Sequence, residues 1–472
     1  MQNTFLWSLL SNLSLVELNE AARWLASPVH NRREDIRVLL SALAEAARNQ
    51  SPAPDRHELW RRLFPEQAFD DQEFRLRCAY LLRQLEDWLA WRRWRSEPLR
   101  EAGHALAAYR ERKLDLHFQK RLAAARLARD KTTLRPAAFY LAAYLIEAEA
   151  YEHQLAQGQR LRLQNLEAQD EALTNAFLSL KLRQACLALA HKQVSGADYR
   201  LALVDEALLW AARPPYADTP AVALYREACL SLLSPDDEPA FERFRQAVVS
   251  HFQRLPPAEM RDLLLLALNA CIRRINQGRS AALRDALALY QLGLSSELLL
   301  ENGRLTSFTY NNIAVVAIGL GETEWADQFI HQYKQYLDPE QREQHFSLNA
   351  ARLAHHRHNY GQALHHLQRA DYRDFFHQMM ARMLQLKIYV ATSETDLLDA
   401  LIKNTRAFLR RQRPSSYHGQ NYRNILRLAE KITRLMPGSR TQAEQLRQLI
   451  EQTEPLTERE WLLSALEAQL KG

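Results

Sequence analysis

The chain has 472 residues, 47% of them hydrophobic and 25% charged, with 62 basic residues against 56 acidic ones. Its 12 glycines are too few for the turns of a sheet-rich or dinucleotide-binding α/β fold, and no stretch approaches the roughly 18 apolar residues of a membrane span. Ala, Leu, Arg, Gln and Glu dominate, all good helix formers, so the fold class expected is all-α.

The first hundred residues read as a small helical module. Met1 to Leu15 is interrupted by Asn3, Ser8, Ser11 and Asn12 and has no basic start or small-residue cleavage site, so it is expected to be an amphipathic helix and not a signal peptide. Ser14 and Glu17 open a second helix that Ser27-Pro28 stops, and a third runs from about Asn31 to Ala47. After the loop around Pro52 and Pro54, helices resume near Arg56 and at Asp70, where acidic residues suit a helix N-terminus. The last of these carries Leu81, Leu82, Leu85, Trp88 and Leu89, an i, i+3, i+4, i+7 stripe.

A helical middle follows over 101–257, with helices predicted at 101–129, 136–154, 161–192, 198–212, 220–233 and 240–252. The breaks fall at 131–135, Pro214-Pro215, Ser234-Pro235 and Pro256-Pro257. Breaks this short favour antiparallel neighbours. Cys78, Cys186, Cys229 and Cys271 each lie in an apolar helical run with no CxxC pair, so they are expected to be buried, reduced thiols of a cytoplasmic protein.

Over 258–438 a unit recurs. Asn269-Ala270-Cys271 is followed by Gly278, Asn312-Ile313-Ala314 by Gly321 and Ala326, and Asn349-Ala350-Ala351 by Asn359-Tyr360 and Ala363. Ala326, Ala363 and Ala400 are spaced by 37 positions, with Ala391 of the third and weakest copy ahead of Ala400. The clearest copy places helix A at 311–317, a turn at Gly319-Leu320-Gly321, and helix B at 325–337. Ala314 and Ala326 let the pair approach closely, and Phe329, Ile330 and Tyr333 fill the space towards the next pair. Two helices at 440–452 and 457–470, the second with a capping-box pattern at Thr457 and Glu460, are expected to cap the array over 439–472.

The Asn312–Pro339 and Asn349–Ala370 segments resemble tetratricopeptide repeats, with a period of 37 against the usual 34. The chain as a whole resembles an uncharacterised Bacteroidetes family of helical-repeat proteins. That likeness rests on Leu25-Ala26-Ser27-Pro28-Val29-His30-Asn31, Arg62-Leu63-Phe64-Pro65, Leu180-Lys181-Leu182-Arg183, Asn269-Ala270-Cys271-Ile272 with Ile275-Asn276-Gln277-Gly278, Asn311-Asn312-Ile313, and Phe408-Leu409-Arg410-Arg411. The resemblance implies a bacterial, right-handed α-solenoid of helical hairpins behind an N-terminal helical module, and lends no reaction. The Lys and Asn with which some tetratricopeptide domains clamp a terminal carboxylate would fall on Asn311 and Val315, so the basic group of that clamp is missing.

Patterns that carry chemistry are weak. His355, His356, His358, His365 and His366 crowd one stretch, but no Cys, Asp or Glu lies among them to complete a zinc site, and a solvated basic edge is the expectation. Arg410, Arg411 and Arg413 lie near Tyr417, His418, Tyr422 and Arg423, a mixture able to bind single-stranded nucleic acid, as is Trp91-Arg92-Arg93-Trp94-Arg95. Both also read as ordinary helix ends over a core. Asp236-Asp237-Glu238 before Pro239 reads as helix N-terminal charge. Phosphate-loop, dinucleotide and nucleophile-elbow patterns are missing from the sequence. The expected function is therefore non-enzymatic: a cytoplasmic scaffold or adaptor that holds a protein or peptide on its helix A faces, through Asn311, Asn312, Asn349 and Arg352. Asn312 and Asn349 share one repeat position and could instead tie neighbouring helices together. No catalytic residue, metal, cofactor or membrane contact is expected. Two alternatives stay open: a nucleic-acid-binding regulator using Arg410, Arg411, Arg413 and the Trp91 to Arg95 segment, and an enzyme with a site hidden between helices.

Overall fold

The computed structural model describes residues 1–158, 165–372, 374–412, 416–435 and 439–471. Among them the chain is helical almost throughout and divides into two compact units, 1–184 with 202–223, and 185–201 with 224–472. Neither residue 100 nor residue 257 is a boundary of that division.

The first unit begins with α1 (Phe5–Ser11), α2 (Leu15–Ala26), α3 (Glu34–Arg48), α4 (Arg56–Leu63) and α5 (Asp71–Arg95). These five share one core, in which Leu10, Leu25, Leu43, Leu81, Leu85 and Trp88 are almost fully buried. At about 2 kcal/mol per buried large apolar side chain, the stripe on α5 holds the module together. The starts are chemically marked: Ser14 and Glu17 form a capping box on α2, and Asp55 and Asp70 accept backbone N–H groups at the starts of α4 and α5. Next come α6 (Pro98–Glu111), α7 (Asp115–Lys131), α8 (Ala137–Ala156), α9 (Leu166–Ser195), whose residues to 184 belong here, and α10 (Val204–Ala211).

Two predicted helices are shorter than expected. Lys113 takes a left-handed backbone (φ 56°) that ends α6 and separates it from α7, and Leu203 (φ 58°) delays α10 to Val204. Both are non-glycine residues at positive φ, a conformation without a composition signal.

The second unit takes α9 from residue 185 and α11 (Pro220–Leu233) from residue 224, then α12 (Glu238–Ser250), α13 (Pro257–Asn276) and α14 (Ala281–Ser295). A two-residue hairpin follows, β1 (Leu300–Glu301) paired antiparallel with β2 (Arg304–Leu305) in the register Leu300 to Leu305 and Glu301 to Arg304. Asn302 and Gly303, both at positive φ, make its turn. Beyond it lie α15 (Ser307–Gly319), α16 (Thr323–Tyr333), α17 (Arg342–His356), α18 (Tyr360–Arg369), α19 (Phe375–Ala391), α20 (Thr395–Gln412), α21 (Ser416–Thr433), α22 (Arg440–Gln452) and α23 (Arg459–Lys471).

α15 packs on α16 and α17 on α18, while α15 also touches α17 and α17 touches α19. Ala314, Ala326, Ala351 and Ala363 are fully buried. Ala391 and Ala400 of the third copy are exposed, so no close helix approach rests on them and the period does not extend there. α22 and α23 bury Leu446, Ile450, Leu462 and Leu466 in the core that α19 to α21 also build. Thr457 does not cap the last helix, which starts two residues later. Asn421 of α21 occupies it instead, donating to its hydroxyl (3.0 Å) and accepting its backbone N–H (2.9 Å).

Gly293 shows how tightly α13 and α14 meet. A Cβ there would lie 2.7 Å from side-chain carbons of Leu264 and Leu299. Gly293→Ala should lower the stability of the second unit by about 1–3 kcal/mol, read as an earlier thermal transition.

Candidate functional site

α15, α17 and α19 set their side chains edge to edge, and a continuous polar row crosses them. Arg352 sets its direction, because a guanidinium can only donate. Its Nη1 gives a hydrogen bond to Asn349 Oδ1 (3.0 Å). The Asn349 amide nitrogen therefore points the other way, donating to Asn311 Oδ1 (2.7 Å) and to the backbone carbonyl of His345 (2.9 Å). Asn311 Oδ1 being an acceptor, its Nδ2 donates to His345 Nδ1 (3.1 Å). His345 is thus the Nε2–H tautomer. That buried nitrogen has no hydrogen-bond partner among the described residues. The ring meets His377 edge to face at 4.6 Å, and His377 in turn is bonded to Asp374 at the start of α19.

Burial, helped by His377 and Arg352, pulls the His345 imidazole down to about 4, so it is neutral at pH 7. The folded state resists a proton that the unfolded chain accepts near the ordinary value of 6.5. Its contribution to stability is therefore complete above pH 6.5 and is lost as the pH falls towards 4. Between pH 7 and pH 5 the second unit should lose about 2 kcal/mol on this account. His345→Gln, which takes up no proton, should flatten that segment of a denaturation-against-pH curve.

Asn349 is fully buried and ties α15 to α17, so a partner cannot touch it. Asn312 takes no part in the row and is half-buried near Tyr290 of α14. Asn311 and Arg352 remain half-buried at the surface. Arg352 Nη2 reaches only the thioether of Met380 (3.3 Å), a weak acceptor, and among the described residues no carboxylate pairs with it. Burial, outweighing the opposing influence of Tyr372 and Glu458, pulls this guanidinium down to about 10, still protonated at neutral pH.

A cavity of about 400 Å³ opens at Arg352, walled by Val315, Met380, Met383, Lys387, Tyr422 and Glu458 among others. Lys387 is already neutralised by Glu458 (2.7 Å). Of the wall residues, sequence reasoning reached Arg352 alone by its role; Met380, Lys387 and Glu458 come from helices far apart in the chain and carry no local pattern. His345 was also missed, although its i, i+4 spacing from Asn349 puts both on one face of α17.

The other clusters fall apart in space. Arg92 pairs with Glu17 and Glu20, Arg93 with Glu97, and Arg95 with Glu101, so the segment between Trp91 and Arg95 offers no spare cation to a phosphate. Trp88 is core, and the half-exposed Trp91 leans on Trp24. Arg410 and Arg411 are exposed in the last turn of α20 above the buried Phe408 and Leu409, and pair with no carboxylate among the described residues. Arg413 lies outside the described residues. His358 turns back on Tyr360, and among the described residues no three His, Cys, Asp or Glu side chains gather as a metal site. Among those residues, too, no helix is long and apolar enough to cross a membrane.

No protein-family model, curated protein or solved structure matches this chain.

Proposed function

We propose that the chain is a non-enzymatic adaptor of the bacterial cytoplasm, built as a right-handed tetratricopeptide-like solenoid, that holds an extended segment of a partner protein across α15, α17 and α19. One observation carries this reading. Phe308 and Val315 on α15, and Phe376 and Met380 on α19, leave large apolar side chains exposed at helical spacing on either side of Asn311 and Arg352. Apolar stripes flanking donors suit a peptide that offers side chains to the stripes and carbonyl or carboxylate oxygens to the donors. Kinship with the Bacteroidetes helical-repeat family belongs to the same proposal and adds no reaction.

The test is selection of a random displayed peptide library on the purified full chain, repeated with Val315→Asp and Phe376→Asp. Retention of a defined peptide set that either substitution abolishes, with the melting curve unchanged, supports the reading. Failure to retain peptides, or indifference to both substitutions, removes it.

A second reading stays attached to Arg410 and Arg411. They are free of carboxylates among the described residues, and Phe376, Tyr417 and His418 form an aromatic cluster on the helices before and after α20. Single-stranded nucleic acid would then bind with a steep salt dependence, and Arg410→Ala with Arg411→Ala would lower the log–log slope by about 1 each. Weak binding that is flat in salt removes this alternative.

A further inference from the structure

Every other cation around the cavity at Arg352 has its charge answered or is an imidazole: Lys387 is paired with Glu458, and His355 is held towards its neutral form by burial and by Lys387 beside it. Arg352 makes no ion pair among the described residues, Glu458 of the same wall acting on it only through space, and it keeps donors to spare and a thioether where a carboxylate belongs. A guanidinium presents its donors in a planar fork that matches a carboxylate with two parallel bonds. The exposed Val315 and Met380 stand at the walls of the same cavity, so the charged hole is rimmed by apolar surface. An inorganic anion or a bare chain terminus would leave that rim unused.

We propose that this cavity receives an acidic side chain, Asp or Glu, carried inside an apolar stretch of the partner's chain, which pairs with Arg352 in place of Met380. The inference rests on the peptide-binding reading above and names the chemistry that the partner must supply. The acid docks by charge complementarity, the flanking side chains lie over Val315 and Phe376, and specificity comes from the cost of leaving Arg352 buried against a neutral or basic residue.

The experiment uses the full chain and the same random peptide library, with Arg352→Gln and Met380→Glu as variants. Met380 is partly exposed, and a glutamate there supplies Arg352 with a carboxylate from its own chain without touching the core. Peptides kept by the wild-type chain are expected to share one Asp or Glu flanked by apolar residues. Replacing that acid by Gln or Asn, or introducing Met380→Glu, should weaken binding at least tenfold, as befits loss of a charge-assisted pair. Amidating the peptide's C-terminus should leave binding unchanged. Because Arg352 also holds Asn349, Arg352→Gln is read only if its melting curve shows a folded second unit; Met380→Glu decides the matter otherwise. Retained peptides without an acid, equal binding by Met380→Glu, or dependence on a free C-terminus would overturn the acid pocket while leaving peptide binding in place. Retention of no peptide would overturn the reading beneath it.

Discussion

Glu147→Ala should cost the first unit about 3–4 kcal/mol, as much as truncating a large core side chain. Glu147 lies on α8 with its carboxylate almost wholly buried, and accepts from Arg126 (2.6 Å), Arg129 (2.9 Å) and Asn165, which also reaches the Glu147 backbone carbonyl at 2.6 Å. Alanine would remove the shared acceptor and leave two guanidinium groups and an amide facing a void. The arginines are partly solvated, which keeps the loss at the lower end of the range for broken buried pairs. Glu147→Gln, which keeps an acceptor, should lose about half as much. Burial alone would raise this carboxyl, but hydrogen bonding and charge from Arg126, with Asn165 and Arg129, overcome it and hold the group below its ordinary 4.5. A depressed carboxyl lends its stability above the unfolded value and loses it as pH falls through the folded one. The first unit should therefore weaken on acidification below about 4.5, and Glu147→Gln should not show that segment. Denaturation at pH 7 and pH 4, followed by a probe near Trp88, checks both statements.

Asn349→Leu should cost the second unit about 3 kcal/mol despite the similar volume of the two side chains. The substitution strands Arg352 Nη1 and Asn311 Oδ1 together, since Asn349 serves both from a fully buried position, while the His345 carbonyl keeps its helical N–H partner. Asn312→Leu should cost no more than about 1 kcal/mol, because no bond of the row depends on that half-buried side chain. The two asparagines lie 37 positions apart on α15 and α17, so a difference between their melting curves measures what the row adds. Equal losses would show that Asn349 acts as an ordinary helix tie.

Much of the helix plan was legible. Prolines and capping carboxylates mark many boundaries, such as the starts of α4, α5, α6 and α13, and the small residues Ala314, Ala326, Ala351 and Ala363 identify the close helix crossings because only a small side chain fits there. The breaks at Lys113 and Leu203 were not legible, since any residue can be forced into a left-handed turn by its surroundings. The hairpin around Asn302-Gly303 carried a turn signal but only two residues on each side, too few to show alternation. Ala391 and Ala400 kept the repeat spacing without its packing, a reminder that position in a period does not ensure burial. At the candidate site, Asn311, Asn349 and Arg352 were found as residue types suited to a binding face. Their division of labour depends on hydrogen bonds between residues up to 38 positions apart and on hidden surface, neither of which is written in local sequence.

The one-way row from Arg352 to His345 ties two titrations together. The positive charge on Arg352 is part of what discourages a proton on His345. A carboxylate arriving beside Arg352 would relax that discouragement, and by thermodynamic reciprocity a protonated His345 would favour the carboxylate's arrival. Between about pH 4 and 5, where His345 begins to take up its proton, loading of the cavity should then be accompanied by fractional proton uptake, visible as a dependence of the binding heat on the buffer's ionisation enthalpy; at pH 7 no uptake is expected.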